Sequence, residues 1–169
     1  MKVLSVQKNS KDCIICGMEN PLGLKAVFYV LDDDSVASVF CFKKEHQSYP
    51  ERTHGGMISA LLDELMGRAL WIKQPDAYGV TTSLSVTFRR PVPYGEQLKA
   101  RAYITFDSNR GFTAKGEIYS VDGKLLAEGT SKYLKLSSEL VFGKNTHADE
   151  QMIYTPKAEF TEIDFPEKI

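Results

Sequence analysis

The stretch His54-Gly55-Gly56-Met57-Ile58-Ser59-Ala60-Leu61-Leu62-Asp63-Glu64, continuing through Arg68 to Lys73 before Pro75, decides the fold of this chain. Its periodicity predicts one long helix, closed by the proline. On a wheel of about 100° per residue, Ile58, Leu61, Leu62, Leu65, Met66, Ala69 and Ile72 cover a broad apolar arc. Glu64 and Arg68, four apart, form the clear charged strip and predict an i,i+4 pair at the surface. A second arc carries Gly56, Ser59, Ala60, Asp63 and Gly67, small everywhere except at Asp63. A helix apolar over most of its circumference belongs at the centre of a sheet that wraps it.

Working outward, strand-like runs flank the helix. Before it come residues 24–31 and 35–42, joined by the turn Asp32-Asp33-Asp34 into an antiparallel hairpin. After it come residues 80–89, 97–106, 112–121 and 124–136, the last two separated by the tight-turn pair Asp122-Gly123. In the first of these, Thr82, Leu84, Val86 and Phe88 are expected to face the helix, and Thr81, Ser83, Ser85, Thr87 and Arg89 the other side. Strand, strand, long helix and four strands make an α+β domain with an antiparallel meander. It is expected to span residues 1–137, with 138–169 as an extension draped on the domain or partly mobile.

Two features of the helix carry chemistry. Asp63 lies in the small-residue seam, where a carboxylate is costly to keep ionised unless it is hydrogen-bonded or used. His54-Gly55-Gly56 opens the helix, where backbone N–H groups lack intrahelical partners and can hold an oxygen that gains negative charge; a plain turn capped by Thr53 is the simpler use. His54 and Asp63 are nine residues apart, about 13 Å along the axis, and on opposite sides. If both act on one reacting atom, two chains must contribute, so the geometry argues for a dimer with composite sites.

Composition bounds the rest. A chain of 169 residues, 43% hydrophobic and 25% charged, is one globular domain with a real core. A net charge of −1 argues against sequence-independent nucleic-acid or acidic-membrane binding. No apolar run approaches a membrane span, and the first residues turn polar too soon for a signal peptide, so a cytoplasmic protein is expected. Three cysteines, an odd count, fit a reducing compartment. Cys13-x-x-Cys16 would need further ligands to hold a metal. Only Cys41, His46 and His147 remain, without paired spacing, so structural thiols and no metal are expected. No phosphate-loop, dinucleotide or Ser-nucleophile motif is present. Arg89, Arg90, Lys99, Arg101, Arg110 and Lys115 are candidates for meeting phosphates.

His54-Gly55-Gly56 with Asp63 nine residues on, Arg90-Pro91 downstream, the strand order and the leading segment from Cys13 to Leu24 together resemble the hotdog-fold acyl-CoA thioesterases, closest to the phenylacetate-pathway-like (PaaI-like) branch. The resemblance covers residues 13–136. It implies a six-stranded antiparallel sheet around the central helix, dimers or dimers of dimers forming through the sheet, and active sites at the dimer interface. It further implies that the Gly55 N–H polarises a thioester carbonyl, with His54 orienting the site and Gly56 beside it. Asp63 of the other subunit would serve as general base or nucleophile. By the same resemblance Thr81 helps place the water, Arg90 stands at the entrance, and Ser48 occupies a position where relatives carry Asn or Gly. The substrate implied is an acyl-CoA, coenzyme A entering as part of the substrate and no cofactor being needed. A non-catalytic acyl-CoA or lipid binder is the alternative, against which the seam carboxylate argues; a hydratase ranks lower.

Overall fold

The structure, a computed structural model, describes residues 1–143 and 152–166. One helix, α1 (Gly55–Arg68), runs on into a 3-10 turn, Ala69–Ile72. Around it curls one sheet of seven strands: β1 (Val3–Val6), β2 (Tyr29–Leu31), β3 (Val36–Cys41), β4 (Ala77–Phe88), β5 (Gln97–Asp107), β6 (Gly111–Ser120) and β7 (Leu125–Ser137). Their order is β1-β2-β3-β5-β6-β7-β4, and every adjacent pair is antiparallel. A short helix, α2 (Ser138–Phe142), follows β7.

The helix is central because its apolar arc is fully used. Leu61, Leu62, Leu65 and Met66 are completely buried, and the main core gathers around them from β3, β5, β6 and β7. The sheet comes close at Gly116, where an added Cβ would stand 3.1 Å from both Leu62 and Met66. A larger side chain there would push sheet and helix apart.

The sheet has one strand more than the six expected. The addition is β1, four residues with too little alternation to read, whose place is fixed by pairing with β2. The expected strand 24–31 is shortened to β2, because Leu24 and Ala26 donate their N–H groups to Ile14 and Ile15 instead of to a ladder. Glu64 and Arg68 do pair, but not as a surface strip: Arg68 is 2% exposed and its guanidinium lies 4.1 Å from the centre of the Phe28 ring. The N-terminal segment covers the pair, with Arg68 donating to the Lys8 carbonyl at 2.9 Å.

Part of the opposite face of the sheet, at β2 and β3, is covered as well. Ile163 packs on Tyr29, Leu31 and Ala37 in a second core joined by Phe160 and Phe165. This tail segment is held by Val3 N–H to Thr161 carbonyl and Ile163 N–H to Met1 carbonyl bonds. His147 lies outside the described residues. Among the described residues no helix is long and apolar enough to cross a membrane.

Candidate active site

Asp63 sits half-buried on α1, facing the end of the sheet where β4 meets β7. Thr81 of β4 donates its hydroxyl to the carboxylate, 2.9 Å from Oδ1 and 3.1 Å from Oδ2. Tyr133 of β7 lies 3.1 Å from Oδ1 and 2.8 Å from the Asp63 main-chain carbonyl. These hydroxyls answer the question the sequence raised, since a carboxylate in a seam of small residues is kept there by donors. Burial, and behind it the Asp63 charge, pushes the Tyr133 phenol well above its usual range, so it remains a donor at neutral pH. A cavity of ≈ 340 Å³ opens on Asp63 and Thr81 and is closed by Trp71, Tyr78 and Tyr133.

Thr81 reaches Asp63 through an irregularity. The β4–β7 register shifts between Thr81 and Ser83, a bulge that adds one residue to β4. Thr81 therefore faces the helix instead of pointing away from it. Beyond the bulge the expected alternation returns: Val86 packs on the core, and the Phe88 ring lies over Gly55, 3.3 Å from where a Cβ would be.

At the other end of α1 the N-cap is His54, not Thr53. The His54 Nδ1 accepts the Gly56 N–H at 2.9 Å, while the Thr53 hydroxyl donates to the Pro93 carbonyl at 3.0 Å. The Gly56 donor is thus already engaged. The Gly55 N–H, at the first helical position, has no acceptor among the described residues, which leaves it for a ligand. Gly55 lines an open cavity of ≈ 400 Å³ with Ser48, Arg52, Phe88 and Arg90. Ser48 and Arg90 thus share a cavity wall with Gly55. Arg90 is exposed and donates to the Leu125 carbonyl at 2.7 Å.

The other cations are mostly committed. Arg101 is buried and ion-paired to Asp33, Arg89 pairs with Glu128 at 2.6 Å, and Lys99 donates to the Asp164 carbonyl. Tyr133 was missed from sequence, because its place in a strand of β-formers looks like ordinary packing. Only the pairing of β7 with β4 brings it to Asp63.

Cys13, Cys16 and Glu64 also line the Asp63 cavity. Burial raises the Glu64 carboxyl to about 7 against the pull of Arg68. The Cys13 thiol is raised, first by its hydrogen bond to Cys16 and then by burial, and the same bond is the main cause that lowers Cys16.

Gly55 and Asp63 of one chain thus line separate cavities, about 12 Å apart along the helix axis. One end presents a free main-chain donor and the other a hydrogen-bonded carboxylate, two kinds of group that acyl-transfer chemistry uses.

Residues 52–127 match the family model described as Thioesterase superfamily. Human acyl-coenzyme A thioesterase 13 is 27% identical over 88 residues, covering 52% of this chain and 63% of the relative. The chain therefore spans under two thirds of the curated relative's length. A solved thioesterase superfamily protein superposes with a TM-score of 0.67 at 29% identity, covering 73% of this chain and 60% of that one. A phenylacetic acid degradation-related protein of Ralstonia eutropha JMP134 superposes with a TM-score of 0.59 at 26% identity, covering 66% of this chain and 85% of that one. With its one long helix wrapped by an antiparallel sheet, this chain has the hotdog fold; its core over residues 52–127 is similar to the thioesterase superfamily, and the whole resembles phenylacetate-pathway-like structures.

Proposed function

We propose that the protein hydrolyses an acyl-CoA thioester to a carboxylic acid and free coenzyme A, in a site built from two copies of the chain. The observation that carries the reading is the Asp63 carboxylate, held by Thr81 and Tyr133 at the wall of an open cavity. In this reading the free Gly55 N–H of one subunit binds the thioester carbonyl oxygen and stabilises its charge as the tetrahedral intermediate forms. His54, by capping the helix through the Gly56 N–H, fixes the direction of that donor. The partner's Asp63 takes a proton from water as the water attacks the carbonyl carbon, and the coenzyme A thiolate leaves. Thr81 keeps a lone pair free to orient the same water. Arg90 and Arg52, exposed beside the Gly55 cavity, face incoming phosphates, and Ser48 lies on its wall. No cofactor enters the reaction, and unpaired thiols fit the cytoplasm as its compartment.

Two features support the dimer. β4 is a twelve-residue strand at the sheet edge, unpaired on one side, with Val80, Leu84 and Phe88 exposed. An edge this long and apolar is a pairing surface. Antiparallel pairing of β4 with its own copy about Ser85 sets the bulge at Thr81 and Thr82 of one chain opposite Phe88 of the other. Since Thr81 holds Asp63 and Phe88 covers Gly55, that register brings the two half-sites together.

The test is thiol release from short, medium, long and aryl acyl-CoAs, with Asp63→Asn beside the wild type. A folded variant slowed about 10²- to 10⁴-fold is the expected result. Unchanged turnover removes Asp63 from the mechanism. No turnover by either protein, with acyl-CoA still raising the melting temperature, replaces the enzyme with the binder.

A further inference from the structure

Beside Asp63, but outside the hydrolytic scheme, lies a second group of chemically capable side chains. The Cys13 and Cys16 sulfurs and a Glu64 carboxylate oxygen all lie within 4.8 Å of one another. From these residues we propose that the N-terminal Cys-x-x-Cys turn and helix α1 together form a binding site for a thiophilic divalent cation of the zinc class, with Cys13, Cys16 and Glu64 as its three protein ligands.

The spacing suits the ion. Tetrahedral zinc with Zn–S near ~2.3 Å separates two sulfurs by about 3.8 Å, and a sulfur from a carboxylate oxygen by slightly less. Cys13 Sγ already lies 3.1 Å from Glu64 Oε2, and with all three ligand atoms within 4.8 Å of one another, closing around a cation needs side-chain movements of at most about 1 Å. The ligands are also oriented from outside. The main-chain N–H groups of Ile15 and Cys16 point at Cys13 Sγ, at 3.3 and 3.5 Å, and the Ser10 hydroxyl lies 3.1 Å from Cys16 Sγ. N–H and O–H donors aimed at sulfur are the surroundings a metal-bound thiolate needs. Gly17 closes the turn by donating to the Cys13 carbonyl at 2.8 Å; a Cβ there would stand 2.3 Å from that oxygen, so only glycine fits.

Arg68 supports the site without blocking it. It grips one Glu64 oxygen, Oε1, through Nε at 3.0 Å and Nη2 at 2.9 Å, leaving Oε2 turned to Cys13. Two thiolates, one carboxylate, a divalent cation and the guanidinium sum to no net charge, as a semi-buried cluster requires. A disulfide between Cys13 and Cys16 is the weaker use, because it would take from Glu64 Oε2 the thiol donor it now has. With three protein ligands the fourth position is open, and the cluster lines the ≈ 340 Å³ cavity that also holds Asp63. The cation would clamp the N-terminal segment to α1 at the edge of that cavity. No step of the proposed hydrolysis passes through it, and the inference stands whether or not the protein is a hydrolase.

The experiment uses the full chain, reduced, stripped with a chelator and titrated with Co²⁺ and then Zn²⁺. One equivalent of cobalt should give intense visible bands of tetrahedral coordination and a near-ultraviolet sulfur-to-cobalt band, both erased by one equivalent of zinc. Zinc should slow the reaction of two thiols with a disulfide reagent while exposed Cys41 stays reactive. Cys41→Ser should leave the cobalt spectrum unchanged, Cys13→Ser should remove the sulfur band, and Glu64→Gln should weaken binding at least about tenfold. A weak six-coordinate cobalt spectrum in the wild type overturns the proposal. So does formation of a Cys13–Cys16 disulfide by oxidised glutathione, two electrons and two protons leaving the thiols, at an unchanged rate with equimolar zinc present.

Discussion

Everything around Asp63 on the helix is small, and two hydroxyls, those of Thr81 and Tyr133, are the reason a carboxylate can stand there. Tyr133 is 3% exposed and stacks on Phe112, ring centres 4.5 Å apart and 9° from parallel. Tyr133→Phe keeps that stack and deletes the donor. It should cost about 1 kcal/mol of stability in a denaturant titration. In the hydrolysis assay it should lower kcat several-fold with little change in KM, because the carboxylate is left less firmly aimed. Thr81→Val should do the same more strongly, since Thr81 also faces the water in the proposed mechanism. An effect on KM alone would move both residues out of the chemistry and into substrate binding.

At the scale of elements, α1 and β4 make the candidate site between them. The helix presents a free Gly55 N–H at one end and Asp63 two turns on, and the edge strand carries Phe88 beside the one and Thr81 beside the other. The bulge in β4 is decisive, because without it Thr81 would face away from the helix. The free edge makes a separate prediction. Leu84→Lys puts a charge beside the centre of the proposed pairing without touching either half-site. It should turn a dimer into a monomer on size-exclusion chromatography and abolish thiol release together. A monomeric variant with full activity would show that one chain contains the whole site.

For the molecule as a whole, the composite site can be counted. Pro is accepted at the first turn of a helix, so Gly55→Pro deletes the N–H that the proposed oxyanion needs with little harm to the helix. Each of Gly55→Pro and Asp63→Asn should be nearly inactive alone. Mixed one to one under conditions that exchange subunits, half of the dimers are hybrids, each with one intact site, so activity should return to about a quarter of wild type. A mixture no more active than its parents would place both groups in the same chain. The tail offers a stability check on the other face: Ile163→Ala, at a residue 3% exposed in the second core, should cost about 2–4 kcal/mol.

Much of this is legible in the sequence alone. A helix apolar nearly all round has to be enclosed, and runs of alternating β-formers divided by turns such as Asp32-Asp33-Asp34 and Asp122-Gly123 have to be the sheet that encloses it. Those are local properties, set by periodicity and turn chemistry, and they survive folding. The candidate carboxylate and the exposed helix N-terminus were readable for the same reason, each being defined by its own helix. What tertiary structure decided was everything that depends on which distant residues meet. Register and a bulge brought Thr81 and Tyr133 to Asp63. The N-terminal turn buried Glu64 and Arg68, which alone look like a solvated pair, and set two thiols against the carboxylate. A third ligand 48 residues beyond Cys16 has no spacing to betray it. Only packing the turn on the helix puts Glu64 within reach.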